Sequence, residues 1–193
     1  MFGHSGNGGV DSEVQPRPSP ARKVDAGVPC RPGSVSGDTV VGVGEYHIVP
    51  APEKLMCIGL GSCVGIAIYD LTAKVGGLAH AMLPRYEEGR DKTNASKYAD
   101  SSVMLMVDEL VEAGAIKGRL KAKIAGGAQM FSFISSDTLN IGLRNSQSAK
   151  EALKRENIPL VGEDVGGTKG RTVVFNTVDG TYRIQKGGES SEI

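Results

Sequence analysis

Short apolar runs separated by turn residues make up most of the chain from Thr39 onward. The first two, TVVGVGEYHIV and LMCIGLG, are split by a turn that contains Pro50 and Pro52. Runs of this length, rich in Val and Ile, predict β-strands. The next two, VGIAIYD and VGGLAHAML, flank the short polar link LTAK, and this arrangement predicts a β-hairpin over residues 64–83.

Two later segments change to a helical period. Apolar residues recur at three- and four-residue spacing over residues 96–113 and stop at Gly114, which predicts an amphipathic helix. A second helix is predicted over residues 146–156. Its start is marked either by a capping box of Ser148 with Glu151 or by Asn145 as the cap.

The remaining apolar runs predict further strands at residues 120–125, 160–161, 172–175 and 181–184. Asp179-Gly180 is a strong hairpin turn signal between the last two. The order of helices and strands is mixed rather than strictly alternating. The predicted fold class is therefore α+β, with packed mixed β-sheets in a sandwich-like arrangement flanked by two main helices.

Composition divides the chain into three parts. Residues 1–38 are rich in Gly, Pro and Ser and have no apolar period, so we expect a disordered N-terminal tail. Cys30 lies in it and is interpreted as an incidental exposed thiol. The folded domain is predicted over residues 39–187, followed by a disordered end over residues 188–193.

Charge and cysteine usage exclude several classes of function. Lys+Arg and Asp+Glu are equal at 22 each, so no global basic field favours nucleic acid or an anionic membrane. No apolar run is long enough for membrane insertion, and no signal peptide is recognisable, so we expect a cytoplasmic protein. No Cys or His pair has metal-ligand spacing, so a structural metal is not expected. No organic cofactor is expected either.

The strongest chemical signal is the loop GLGSCVG, in which three glycines surround Ser62 and Cys63. Such a loop can present a thiol and direct backbone N–H groups at an oxyanion. The alternative is a small buried thiol beside a tight bend. A dinucleotide-binding loop is disfavoured because the third glycine comes one residue late and the following segment continues as a strand.

His80 is the second candidate, since it is the only histidine inside a strongly apolar run. A core histidine bonded to backbone is the alternative interpretation. The predicted hairpin would place His80 on the strand beside the one that begins at Cys63, where an imidazole can draw the thiol proton. Alternation along a strand would place Cys57 on the same face as Cys63. Cys57 is then either a second thiol near the site or a residue that packs in the core.

An ordered set of motifs resembles the CheD family of chemoreceptor glutamine deamidases. The set is GLGSCVGIAIYD, KVGGLAHAMLP, KYAD, AKIAGGAQMF, NIGLRN and EDVGGTKGR, covering about residues 43–175. The resemblance implies a fold like that of the cytotoxic necrotizing factor deamidases. It also implies Cys63 as nucleophile and His80 as base. The family commonly has threonine, which helps to orient the histidine, where this chain has Cys57. Either a backbone carbonyl or another side chain then holds the imidazole, or the activity is weakened.

The resemblance implies a hydrolase that converts glutamine side chains of methyl-accepting chemoreceptors to glutamate, by a Cys-His thioester mechanism and with release of ammonia. Backbone N–H groups near Ser62 and Cys63 are the expected oxyanion donors. A CheC-type chemotaxis phosphatase is the second implied partner. Two rivals remain open: a non-catalytic adaptor that binds receptor and phosphatase, and a cysteine amidase or transamidase with another substrate.

Other residues near these motifs have open roles. Gly126, Gly127 and Gln129 either form a wall of the site or only a turn. Asn145 either binds substrate or caps a helix. Arg171 either shapes a glycine loop or contacts a partner. The charged segment of residues 85–92 is interpreted as a solvated loop that could border a site for a protein substrate.

Overall fold

The fold consists of two five-stranded sheets and two helices. A computed structural model describes residues 38–129 and 140–193. The predicted N-terminal tail, with Cys30, lies almost entirely outside the described residues. The strands are β1 (Thr39–Val40), β2 (Tyr46–Pro50), β3 (Lys54–Leu60), β4 (Val64–Asp70), β5 (Val75–Ala81), β6 (Lys121–Gly126), β7 (Leu160–Val165), β8 (Arg171–Asn176), β9 (Tyr182–Lys186) and β10 (Glu189–Glu192). The helices are α1 (Ala99–Glu112) and α2 (Ile141–Arg155), and short 3-10 turns lie at Ala95–Lys97 and Lys117–Arg119.

The predicted hairpin of β4 and β5 forms the centre of one sheet. Its strand order is β2-β5-β4-β6-β7, and only β6 and β7 run parallel. Every residue of β4 and β5 is buried. A strand covered on both faces reads as a continuous apolar run, which explains the weak alternation of this segment.

The second sheet has the order β1-β3-β8-β9-β10, and β1 and β3 run parallel. The Asp179-Gly180 hairpin is confirmed, because β8 and β9 pair in antiparallel register on either side of it. Both sheets are therefore mixed, which confirms the predicted α+β class.

The molecule has three layers, with two apolar clusters between them. One cluster joins α1 and α2 to one face of the β4 sheet, through Val64, Ile66 and Ile68 among others. The other lies between the two sheets and contains Leu60, Ala67, Tyr69, Leu78, Val173, Phe175 and Tyr182. Alternate residues of β4 thus point to opposite cores.

The second helix begins earlier than its apolar pattern predicts. It starts at Ile141, and the side chain of Asn140 caps it by accepting a hydrogen bond from the N–H of Leu143 at 3.2 Å. The predicted caps at Asn145 and Ser148 are therefore wrong, because both residues lie inside the helix. The first turn contains Gly142 and little apolar periodicity, so the sequence pattern starts late.

The end of the described chain is also more ordered than its composition suggests. Residues 188–193 were expected to be disordered, but Glu189–Glu192 form β10, which pairs with β9. Ile193 continues the contact by exchanging two backbone hydrogen bonds with Tyr182. Pairing to an existing strand edge satisfies backbone groups whatever the side chains are, so composition alone missed this strand.

None of the helices in the described ranges, 38–129 and 140–193, is long and apolar enough to cross a membrane.

Candidate functional site

The loop that carries Cys63 is short and held by backbone hydrogen bonds. It spans residues 61–63 between β3 and β4. The N–H of Gly127 donates to the carbonyl of Cys63 at 2.8 Å, and the N–H of Ala128 donates to the carbonyl of Gly61 at 2.7 Å. The loop is therefore fixed from one side by the segment that follows β6.

Gly126 makes this close approach possible. Its φ is +119°, and a Cβ at this position would lie 2.2 Å from the carbonyl oxygen of Cys63. Any other residue would displace the loop. The glycine pair is thus a direct neighbour of the Cys63 backbone, whereas Gln129 lies further out and donates its N–H to the carbonyl of Gly167.

Strand pairing places His80 diagonally across from Cys63. Gly65 pairs with His80 and Val64 pairs with Ala81, so Cys63 comes next along the strand, opposite the residue after Ala81. Diagonal neighbours in antiparallel strands lie about 7–8 Å apart between Cα atoms, within reach of long side chains. Cys63 packs against the cluster between the sheets, and His80 contacts Val41 of the same cluster. Both side chains therefore lie on the inter-sheet face.

The imidazole of His80 is held from one side only. Its Nδ1 lies 3.4 Å from the carbonyl oxygen of Val41, and its buried Nε2 has no hydrogen-bond partner among the described residues. A carbonyl at Nδ1 favours the tautomer with the proton there and leaves Nε2 as a free base. The sequence did not identify the group that orients the His80 imidazole, because a backbone carbonyl leaves no mark in the pattern of side chains.

Cys57 lies in the core rather than in the loop. It is fully buried in the inter-sheet cluster, and its Sγ lies 3.9 Å from the carbonyl oxygen of Ala79. Burial and the nearby Cys63 raise the pKa of the Cys57 thiol. These contacts fit a packing residue that also touches the strand of His80.

Burial favours the neutral forms of both candidate groups. Desolvation raises the pKa of the Cys63 thiol, an effect that the residue's own backbone N–H partly offsets. Desolvation also lowers the pKa of His80 from 6.5, opposed by the Val41 carbonyl and by Glu45. The resting pair at neutral pH is therefore a thiol and a neutral imidazole, and the site does not store a thiolate.

The loop also presents backbone hydrogen-bond donors beside the thiol. Among the described residues, the backbone N–H groups of Gly61, Ser62 and Cys63 donate to no carbonyl. Ser62 is exposed, whereas the side chain of Cys63 is partly buried. Free N–H groups beside a nucleophile are the usual donors to an oxyanion.

Four buried polar atoms in the described residues lack hydrogen-bond partners, and all four belong to residues around this loop. They are Nε2 of His80, Oδ1 of Asn145, Nε of Arg171 and the hydroxyl of Tyr182. The Tyr182 hydroxyl lies 2.5 Å from the position a Cβ on Gly65 would take. Orphaned buried polar groups destabilise a fold, and their concentration at one place is typical of a functional site.

Asn145 and Arg171 hold the loops rather than reaching solvent. Asn145 is fully buried and donates to the carbonyls of Ser62 and Met82. Arg171 is also buried and donates to the carbonyls of Gly126 and Gly166. Burial excludes the alternative of a partner contact for Arg171 and leaves the interpretation that it shapes the glycine loops.

The charged segment after β5 is a surface loop, as predicted. Salt bridges join it to α2, from Arg85 to Glu151 at 2.7 Å and from Arg144 to Glu88. Exposed pairs of this kind contribute little to stability.

Within residues 38–129 and 140–193, no group of His, Cys, Asp and Glu side chains could hold a metal ion.

Comparison with known proteins decides the family. The model of the CheD family, described as "CheD chemotactic sensory transduction", matches residues 82–186. The chain belongs to the CheD family. The matched span begins just after β5, so Cys63 and His80 precede it.

CheD relatives match a longer part of the chain. A protein of Geobacillus kaustophilus is 48% identical over 148 residues, which cover 75% of this chain and 90% of that protein. A protein of Clostridium novyi is 45% identical over 149 residues, covering 77% and 92%. Both are named "Probable chemoreceptor glutamine deamidase CheD". Among solved structures, the Bacillus licheniformis protein YfiH aligns with a TM-score of 0.43 and 16% identity, over 69% of this chain and 61% of that one.

Proposed function

We propose that this chain is a chemoreceptor glutamine deamidase, a hydrolase that converts glutamine side chains of chemoreceptors to glutamate. The observation that carries the proposal is the free, buried Nε2 of His80 on the strand beside the Cys63 loop. Family membership and the names of the relatives support the substrate. The proposed place of action is the cytoplasm, where the signalling domains of chemoreceptors lie.

The first half of the reaction forms a thioester. His80 Nε2 takes the proton of the Cys63 thiol as the sulfur attacks the carboxamide carbon of the glutamine. The free N–H groups of Ser62 and Cys63 donate to the oxyanion that develops. The tetrahedral intermediate then collapses, His80 protonates the departing nitrogen, and ammonia leaves.

The second half restores the enzyme. His80 removes a proton from water as the water oxygen attacks the thioester carbonyl, and the sulfur leaves and is reprotonated. The products are a glutamate side chain and the free thiol. Nε2 has no hydrogen-bond partner among the described residues of the resting structure, Cys63 Sγ included, so the proton transfer takes place only once an electrophile, either the substrate or an alkylating reagent, has entered the site.

The test uses purified protein and a cytoplasmic fragment of a chemoreceptor. Wild type should release ammonia and convert defined glutamines to glutamate, as followed by mass spectrometry, and Cys63→Ala should abolish both. Cys57→Ala is the matched control, since it removes the neighbouring thiol, and it should retain activity. Full activity of Cys63→Ala would contradict the mechanism.

The same assay separates the rivals. If wild type and Cys63→Ala both bind receptor fragments but neither releases ammonia, the protein is an adaptor. If ammonia release requires an added amine, the reaction is a transamidation.

We also propose a CheC-type phosphatase as a partner, on the basis of family resemblance alone. Binding measured by calorimetry, and a change of deamidation rate on its addition, would test this. Absence of both would remove the partner without affecting the mechanism.

A further inference from the structure

Asn145 joins the two strands that carry the candidate pair. Its side chain is fully buried on α2, the helix that packs against the β4 sheet. Its amide nitrogen donates to the carbonyl of Ser62 at 2.9 Å and to the carbonyl of Met82 at 3.0 Å. Both hydrogens of the amide are therefore used.

The two carbonyls that accept these hydrogen bonds lie next to the candidate pair in the sequence. Ser62 directly precedes Cys63, and Met82 lies two residues after His80. The register of β4 with β5 ends at the pair Val64 and Ala81. The amide of Asn145 thus connects the two chain segments at the point where their own backbone pairing stops.

This arrangement is poorly explained by packing. The Oδ1 atom of Asn145 is buried and has no hydrogen-bond partner in the part of the chain that the structure describes, which destabilises the fold relative to an apolar side chain of the same shape. Its two donors, by contrast, engage the backbone on both sides of the site. The Asn145 side chain therefore fixes the distance between the start of β4 and the end of β5.

We propose that Asn145 is a positioning residue that sets the separation between the Cys63 sulfur and the His80 imidazole. The proposal deepens the proposed function and rests on it. Asn145 does not contact the substrate, since no part of it is exposed. It acts through the Ser62 carbonyl, whose peptide leads into the nucleophile, and through Met82, which directly follows the strand of the base.

The central test replaces Asn145 by Leu, which keeps the volume and removes both donors. Misplacement of a reacting group by about 1 Å costs on the order of 100-fold in rate, so kcat should fall about 10- to 100-fold while KM changes little. Alkylation of Cys63 by iodoacetamide, followed by mass spectrometry, should slow by a similar factor.

Ser148→Ala is the matched control. Ser148 is buried on the same helix and donates to the carbonyl of Pro84 at 2.6 Å, so its replacement also removes a buried hydrogen bond between α2 and the segment after β5. This variant should lose stability without slowing the alkylation of Cys63. If Asn145→Leu reacts at the wild-type rate, or slows no more than Ser148→Ala, the positioning role is wrong.

A measurement on the wild-type chain covers the case in which Asn145→Leu does not fold. In protein labelled with ¹⁵N at asparagine, the side-chain amide of Asn145 should exchange slowly with solvent and change chemical shift when Cys63 is alkylated. A rapidly exchanging signal, or one unmoved by alkylation, would overturn the proposal.

The two proposals fail in different ways. If wild type releases no ammonia from receptor fragments, the proposed function falls, but the alkylation rates still decide whether Asn145 positions Cys63. If wild type is active and Asn145→Leu is equally active, only the positioning role falls.

Discussion

Burial determines the protonation of His80, and the backbone carbonyl of Val41 and the charge of Glu45 oppose its effect on the pKa only in part. Its side chain is almost completely buried, and desolvation lowers its pKa below the ordinary value of 6.5. The neutral form can accept the thiol proton at neutral pH. A buried imidazole is thus an available base here, although the thiol beside it is not activated in advance.

The pH dependence of stability follows from this shift. Below pH 6.5 the unfolded chain protonates His80 before the folded chain does, so the unfolded state binds more protons. The free energy of unfolding should therefore fall as the pH drops from 6.5 towards the lower folded pKa. In His80→Gln the decrease should be smaller, as urea unfolding at about pH 7.5 and about pH 5.5 would show.

The control compares wild type with His80→Gln at about pH 7.5 and about pH 8.5, where His80 is neutral in both the folded and the unfolded chain. The two proteins should show the same pH dependence in that range. If the free energy of unfolding of His80→Gln fell as much as that of wild type between about pH 7.5 and about pH 5.5, burial would not hold His80 in its neutral form. The deamidation rate of wild type should likewise decrease only when the pH falls below 6.5, because His80 can act as a base until it is protonated.

At the scale of elements, the glycine turns after β6 and β7 depend on one buried arginine. Arg171 donates to the carbonyls of Gly126 and Gly166 and forms an ion pair with Asp164 at 3.2 Å. Lys186 holds the same carboxylate at 2.9 Å. Arg171 thereby connects β8 to the turn that supports the Cys63 loop.

Arg171→Leu should strongly destabilise the fold. Removing the buried guanidinium takes a hydrogen bond from the carbonyls of Gly126 and Gly166 and leaves Lys186 as the remaining cation beside Asp164. After allowance for the partial exposure of Asp164 we expect a loss of about 2–3 kcal/mol in the free energy of unfolding. Arg183→Leu is the matched control, since Arg183 lies on the adjacent β9 in an exposed pair with Glu192. It should cost about 0–1 kcal/mol. If Arg171→Leu and Arg183→Leu lost the same free energy of unfolding in urea, Arg171 would not be what holds the glycine turns.

At the scale of the molecule, the last strand closes the edge of the layered structure. β10 covers β9, and Ile193 lies against the inter-sheet cluster, 3.2 Å from the position of a Cβ on Gly162 of β7. Lys123 of β6 donates to the carbonyl oxygens of Gly180 and Ile193. Residues 189–193 therefore connect the two sheets.

Deleting residues 189–193 should lower stability and expose an edge strand. Loss of the Ile193 side-chain burial and of the β9 pairing should cost about 2–3 kcal/mol in thermal or urea unfolding. The bare edge of β9 should also promote aggregation. Ile193→Ala, which keeps the strand, should lose about half of this or less. An unchanged melting temperature of the deletion would mean that β10 contributes nothing to the fold.

Local patterns in the sequence determined a large part of this molecule. The β4–β5 hairpin, α1 and the Asp179-Gly180 turn follow from periodicity and turn chemistry, which act over a few residues. The same hairpin brought His80 beside the strand that directly follows Cys63. These elements were predictable because the forces that select them lie within one or two turns of chain.

Tertiary structure decided what depends on contacts between distant segments. β2 and β3 adjoin in sequence yet enter different sheets, and the first turn of α2 forms without an apolar period. The carbonyl of Val41 reaches His80 across 39 positions, and Asn145 reaches Ser62 across 83. Backbone groups carry no mark in the sequence, so only the packing of the layers determines which of them meet the site.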